Sequence, residues 1–403
     1  MEVSSASKGK QGKCAACGDS PVMHSAAFFT STIEAWLIDR VNQFFPHRTS
    51  RRSLTALKRE EVFESLLIRF ARLLRLAKSS HNPELSYTFR SQVMWEEALR
   101  RGIPMEQQML FGAATELYRA QINGVWHYFV SLPIPVDMQQ HMFTGIDDKQ
   151  RLKQFLQAHN VPVSRAICVT SITAAREAFE TLQKPLVVKP RIGSRARHTT
   201  TNIRTLEDLE TAYRLAHQLC GYVLIEEHLD GPVSRATVID GKLRGFLQMF
   251  PARVTGDGAH SIKELLDMKN ASRHADVQVV IFDAEHRAYL RRSGFDEQTV
   301  LERGATIDLS RRTGRFQGGV TREMPASVHP KLKNALEHVA VVLGAPVIGF
   351  DLIIEHPESD PDSQRWGVLE ANSLPYIDLH YLPLEGTPSN VAAAVWDLWD
   401  KKS

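Results

Sequence analysis

Two apolar runs near the C-terminal end each carry a carboxylate where a buried strand should carry none. They are IGFDLIIE (348–355), with Asp351, and VLEANS (368–373), with Glu370. An ionised carboxylate among apolar neighbours is costly unless it is paired or bound to a metal, so these runs limit the folds open to the chain. Alternate side chains of a strand share a face, which puts Asn372 beside Glu370. The polar loop HPESDPDSQ (356–364) suits an antiparallel turn between the two runs, and Asp351 and Glu370 are 19 residues apart. Paired in that way, Asp351, Glu370 and Asn372 present three hard oxygen donors, a set suited to Mg2+ against phosphate. A solvated strand end would account for Glu370 and Asn372 alone, but not for Asp351 inside GFDLII.

The rest of the chain has room for such a site. At 403 residues it is long enough for two or three domains, and 43% hydrophobic with 24% charged residues is the balance of a globular protein. A net charge of +3 is too small to imply a nucleic-acid partner. No apolar run approaches the ~20 residues of a membrane span, and MEVSSASKGKQGKCAACGDS lacks the apolar core of a signal peptide. A cytoplasmic location is the expectation. Cys14 and Cys17 form a CxxC, but with His24 as the one further candidate ligand the set is short of four. Residues 1–25 are therefore expected to be a disordered tail with incidental thiols and no metal.

Helical spacing runs through RRSLTALKREEVFESLLIRFARLLRLAK (51–78). Phe63, Leu66, Leu67, Phe70, Leu73, Leu74 and Ala77 form an apolar stripe, with Arg69, Arg72 and Arg75 on the other side. A domain helix with a solvated basic face is the preferred reading over a membrane-surface helix. SQVMWEEALRRGIP (91–104) predicts a helix and loop, and ATELYRAQINGVWHYFV (114–130) a hairpin turning at Asn123-Gly124. IDDKQRLKQFLQAHN begins a helix after acidic residues and ends it near Asn160. Strand and helix then alternate through 165–230, with a turn-rich stretch after PLVVKP (185–190), and ATVID and KLRGFLQMF flank Gly241.

Two lysines stand where phosphate could be met. Lys189 ends the strand PLVVKP before a turn carrying Arg191, and Lys149 opens a helix. The strand GYVLIEEHLDG (221–231) leads into polar residues whose backbone could meet an adenine edge. Taken in order, DDK (147–149), VVKP (187–190), LIEEHLDG (224–231), GFDLII (349–354) and EANSLP (370–375) resemble the ATP-grasp superfamily. More narrowly, RVTGDGAHSIKELLDMKN (253–270) and GVLEANSLPYIDLHYLPLEGTPSN (367–390) resemble the ATP-grasp portion of cyanophycin synthetases and of glutathione-type ligases. The likeness covers roughly 145–400.

The resemblance implies an α/β (α+β) ATP-grasp fold with a C-terminal mixed sheet. After the tail it implies a helical extension (26–88), a pre-ATP-grasp subdomain (89–145), a lid subdomain (146–235) and a catalytic subdomain (236–403). It implies an ADP-forming ligase that activates a carboxylate with ATP and joins it to an amine of an amino acid or short peptide. ATP and one or two Mg2+ ions, with Mn2+ as a substitute, are the implied cofactors, and a homo-oligomer is compatible with the family. By position, Asp351, Glu370 and Asn372 would hold the metal, and Lys149 and Lys189 would contact phosphates. Glu226, Glu227, His228 and Leu229 would form the adenine hinge. Arg311, Arg312 or Arg315 would steady the acyl phosphate, while His380 and Arg253 would face substrate.

The chain departs from that pattern at several places. Ala196 and His198 replace glycines of the phosphate loop, Val233 replaces an acidic residue near the ribose, and Met249 and Tyr376 replace an arginine and a glycine. These departures spare the metal triad, so activity with altered nucleotide or substrate handling is expected. The alternative is a nucleotide- or partner-binding module derived from the ligase fold, without turnover.

Overall fold

The alternation expected over 165–230 builds an antiparallel sheet covered by two helices. The computed structural model describes Cys14, Cys17 and residues 22–44, 53–193, 197–275 and 277–400. The chain forms two compact units, the smaller comprising 1–39, 165–228 and 283–294, the larger the remainder.

In the smaller unit, β5 (Ala166–Val169), β6 (Leu186–Pro190), β7 (Thr200–Ile203) and β8 (Val223–Glu227) form a sheet in the order β5-β8-β6-β7. Helices α5 (Ile172–Thr181) and α6 (Leu206–His217) cover it. Each starts at a side-chain cap: Ser171 accepts from the Ala174 N–H and Thr205 from that of Asp208. Their apolar faces bury Ala178, Phe179, Leu209 and Ala212 against Val188, Ile203 and Ile225. Strand β7 lies in the stretch read from sequence as turn; TTNI is short and polar, and pairing with β6 is what extends it. Helix α1 (His24–Phe44) contributes its residues up to Asp39, and α8 (Ala284–Arg292) completes the unit.

The larger unit holds a five-stranded sheet in the order β13-β10-β9-β14-β15, composed of β9 (Val233–Ile239), β10 (Lys242–Met249), β13 (Thr321–Glu323), β14 (Val347–Ile353) and β15 (Gly367–Asn372). Asp240 (φ 52°) and Gly241 (φ 67°) turn β9 into β10, both in the left-handed region that such a tight hairpin requires. Helices α4 (Lys149–Ala158) and α9 (Pro330–Val342) pack Leu152, Leu156, Leu336 and Val339 against Ala236, Phe246, Phe350 and Val368. Strands β11 (Pro251–Thr255) and β12 (Thr306–Thr313) form a separate ribbon, near which α7 (Ile262–Ser272) starts with a capping box between Ser261 and Glu264.

A second sheet of this unit runs β1 (Ala77–Ser80), β2 (Met105–Leu110), β3 (Ala113–Ile122) and β4 (Val125–Val130), with the expected hairpin at Asn123 (φ 50°) and Gly124 (φ 78°). Helices α3 (Phe89–Arg100) and α10 (Val391–Trp396) close a core of Trp95, Tyr118, Phe129 and Trp396.

Helix α2 (Leu54–Leu73) corrects the reading of 51–78 in two ways. It stops four residues short of Ala77, which begins β1 together with Lys78. Of the stripe expected to be buried, Leu66, Phe70, Leu73 and Leu74 are exposed and Ala77 is buried on β1, whereas Leu57 and Ile68, outside the stripe, are buried. Arg72, expected in solvent, reaches Gln108 at 2.6 Å and Glu106 at 3.4 Å. The partners available on β2 decided which face of α2 turned inward. The tail expected over 1–25 lies mostly outside the described residues.

Candidate functional site

Register across the five-stranded sheet gathers charge on one face of the larger unit. Asp351 on β14 sits opposite Arg235 on β9 and Glu370 on β15. Directly opposite residues of antiparallel strands share a face, so the three form a row. Arg235 grips Asp351 with two bonds, Nε to Oδ1 at 2.6 Å and Nη2 to Oδ2 at 2.9 Å. A two-pronged guanidinium–carboxylate bond of this kind is the strong form of ion pair. Burial pushes the Asp351 carboxyl up from its ordinary range, Arg235 pulls it down, and Glu370 pushes it up again.

The next row on the same face is Gly245, Thr237, Gly349 and Asn372. Its glycines make room: a Cβ on Gly349 would stand 2.7 Å from Pro375 Cβ, and one on Gly245 would stand 2.5 Å from the His380 ring. Lys149, the first residue of α4, directs Nζ to within 3.4 Å of Glu370 Oε2. The neighbouring Asp147 accepts hydrogen bonds from the Ser373 N–H and hydroxyl at 3.2 and 2.8 Å, which joins the start of α4 to the turn after β15.

The structure therefore brings Asp351, Glu370 and Asn372 onto one face, as strand alternation and antiparallel pairing predict, and sets Lys149 against Glu370. It adds Arg235, which sequence reading missed. The signal was present, since a lone carboxylate on an apolar strand needs a counter-charge and Arg235 is the single cation within VSRATVI.

Buried polar atoms with no protein partner cluster at this face: Arg235 Nη1, Asn372 Nδ2 and Asp378 Oδ1. Unsatisfied buried polar groups are uncommon in native proteins and point to something absent from the chain itself. Two adjacent carboxylates and a carboxamide form an oxygen donor set that fits a divalent hard cation.

The smaller unit holds Lys189, Glu226, Glu227 and His228, which the resemblance assigns to the nucleotide. Lys189 on β6 meets Glu226 on β8 at 2.5 Å, and both are buried. Within the 226–229 segment, the Glu227 N–H is used by the Arg165 carbonyl and the His228 N–H by the Pro185 carbonyl. Leu229 is buried in the larger unit. Arg191, read as charge for the phosphate loop, is instead held against Asp39 of α1 by two bonds of 2.8 Å. Ala196 lies outside the described residues.

The other residues expected at the site have protein partners of their own. His380 is completely buried, with Nδ1 on Glu323 Oε2 at 2.8 Å and Nε2 on Thr237 Oγ1 at 2.7 Å. Both ring nitrogens are thus engaged by the protein, which makes His380 a brace between β9 and β13 in this structure. Glu323 is a second residue missed from sequence; it also accepts from the Phe246 N–H and the Ser389 hydroxyl. Arg253 on β11 pairs with Asp308 on β12 at 3.0 Å, and burial pushes the Asp308 carboxyl up. Arg311 and Arg312 end β12, and Arg315 directs Nη1 to the Leu382 carbonyl at 3.3 Å.

No family model matches the chain. It is 28% identical over 260 residues to a cyanophycin synthetase from Synechocystis sp., covering 62% of this chain and 30% of that protein. It is 29% identical over 254 residues to a bifunctional glutathione biosynthesis protein from Enterococcus faecalis, covering 60% of this chain and 33% of that one. The chain is similar in sequence to ATP-grasp carboxylate–amine ligases. The chain spans about a third of the length of the curated proteins it matches. It also aligns with the crystal structure of a bifunctional glutathione synthetase from Pasteurella multocida, at a TM-score of 0.48 and 21% identity over 78% of this chain and 43% of that one. No helix among its described residues is long and apolar enough to cross a membrane.

Proposed function

We propose that the chain is an ATP-dependent ligase that joins a carboxylate to an amine, on amino-acid or short-peptide substrates, with release of ADP and phosphate. The observation that carries this reading is the row Arg235–Asp351–Glu370, with Asn372 beside it and Lys149 on Glu370. The names of the relatives, a cyanophycin synthetase and a glutathione biosynthesis protein, support amide-forming chemistry.

In this reading a substrate carboxylate oxygen takes the γ-phosphoryl group of ATP, and ADP leaves. The amine nitrogen then attacks the acyl carbon, phosphate departs, and the nitrogen gives up a proton. Such chemistry needs charge neutralisation and in-line positioning, and no protein nucleophile. Asp351, Glu370 and Asn372 would hold one or two Mg2+ ions, for which Mn2+ could substitute; bound there, the metal would offset phosphate charge. Arg235 fixes the angle of the Asp351 carboxylate from the side opposite Glu370. Lys149, which lies on Glu370, would be available to phosphate with a cation held by that carboxylate.

Lys189 and the Glu226–Leu229 segment keep the nucleotide-side roles that the resemblance implies. One of Arg311, Arg312 and Arg315 steadies the acyl phosphate, and Arg253 lies on the substrate side. His380 acts through Thr237 and Glu323. The subdomain boundaries at 25, 88, 145 and 235 and a cytoplasmic location belong to the same reading.

The test is ADP release with Mg-ATP and a panel of amino acids and dipeptides, followed by mass spectrometry of the product. Release is expected with at least one acid–amine pair, and Glu370→Ala should lower it by about 100-fold or more. Tight ATP binding without ADP formation across the panel would overturn the ligase reading in favour of a nucleotide-binding module.

A further inference from the structure

We propose that Cys14, Cys17, His24 and His198 form a zinc site in the smaller unit. Their ligand atoms all lie within 4.8 Å of one another. Cys17 Sγ stands 3.2 Å from His24 Nε2 and 3.4 Å from His198 Nε2, and Cys14 Sγ stands 3.6 Å from His198 Nε2. In a tetrahedron with Zn–S of about 2.3 Å and Zn–N of about 2.0 Å, sulfur and nitrogen are roughly 3.5 Å apart. The three sulfur–nitrogen spacings match edges of that tetrahedron.

The second nitrogen of His198 supports the assignment. Nδ1 lies 2.7 Å from the Leu215 carbonyl, an acceptor only, so Nδ1 carries the proton and donates it. Nε2 is left with its lone pair aimed at the two thiols. A metal-bound histidine uses this arrangement, with the outer nitrogen tied to a carbonyl to set tautomer and ring angle. The His24 ring stands edge-on to that of His198, at 89° and 4.8 Å between centroids, so both can point nitrogens at one centre without stacking.

Supports on all sides hold the group. The Cys17 N–H bonds the Cys14 carbonyl at 3.1 Å, a tight turn that brings the two sulfurs to one side. His24 opens α1, and His198 sits at φ 50° in the connection between β6 and β7. Cys17 and His198 are both buried, 3% and 1% exposed. Two thiolates and two imidazoles select a soft or borderline ion such as Zn2+ over the hard cations suited to carboxylates. With four protein ligands and no open position, the ion would be structural. It would staple the N-terminal segment to the loop that follows Lys189, at the position where His198 replaces a glycine of the resembling family. Cys14, Cys17 and His24 alone fall one short of four ligands; His198, far along the chain, supplies the fourth.

The test uses the full chain and does not depend on ligase activity. Protein purified without chelator should carry about one zinc per chain by elemental mass spectrometry. The reduced, metal-stripped wild type titrated with Co2+ should develop a thiolate charge-transfer band and the intense visible bands of tetrahedral cobalt, saturating at about one equivalent. The Cys14→Ser/Cys17→Ser variant should lose the metal. His198→Cys should keep it, with a spectrum shifted by the third sulfur. If the wild type gives no tetrahedral cobalt spectrum, or the double serine variant retains zinc at the wild-type level, the proposal falls. The cobalt titration decides the matter even if a variant does not fold.

Discussion

Asp351 meets its charge partner across a strand boundary, and the energetics of that contact are testable at the level of one side chain. Arg235 and Asp351 are 8% and 13% exposed, so removing the cation leaves a carboxylate in a poorly solvated place. Loss of one member of such a pair costs about 3–5 kcal/mol. Arg235→Ala should lower unfolding stability by that order in urea titrations, and the double change Arg235→Ala/Asp351→Ala should recover part of it. A loss below about 1 kcal/mol for the single change would mean that the pair is solvated. From sequence, Glu370 and Asn372 could be placed on one face because strand alternation is local. Arg235 could not, because its pairing with Asp351 depends on which strand lies beside β14, and in what register. His380 shows the same limit: the family resemblance implied a substrate-facing position, and only packing revealed Glu323 and Thr237 on its two nitrogens.

Whole elements are joined by similar contacts. Glu97 on α3 bonds Arg100 at 2.5 Å, Arg101 at 2.7 Å, and Asn390 before α10 at 3.4 Å; Arg101 in turn reaches Asp397 after α10 at 2.7 Å. Hydrogen bonding from Arg100, and then from Arg101 and Asn390, holds the Glu97 carboxyl down at about 2 against the opposing effect of burial. A depressed carboxyl stabilises the fold above its ordinary range, and the contribution is lost as pH falls through the folded value. Glu97→Gln should therefore cost on the order of 2 kcal/mol at neutral pH, and the gap to wild type should close as pH falls from about 4.5 toward about 2. Urea midpoints measured across that range test it; a gap independent of pH would mean that charge at Glu97 is not the cause. Helix α2 carries the lesson about legibility at this scale. Its period was readable in the sequence, but the choice of inward face was not, because α2 has polar partners on β2 for Arg72 and leaves Leu66 and Phe70 outside.

For the molecule as a whole, each of the two units has its own buried core, and each carries part of the residue set proposed for nucleotide. A ligand that binds only the folded chain stabilises it by mass action, about 2.7 kcal/mol at a hundredfold excess over Kd. Calorimetry should show Mg-ATP raising the melting temperature, ATP with chelator raising it much less, and Glu370→Ala losing the difference. Equal shifts with and without Mg2+ would count against the Asp351–Glu370–Asn372 metal set. The sequence by itself determined the strands with their lone carboxylates, the hairpins at Asn123-Gly124 and Gly241, and the order of motifs along the chain. These depend on neighbours two to four residues away, whose periodicity is written into the chain. Only the tertiary structure decided that Arg235 answers Asp351, that His380 is a brace, and that His198 joins Cys14, Cys17 and His24. Contacts between distant residues follow from register and packing summed over many side chains, and no local pattern encodes that sum.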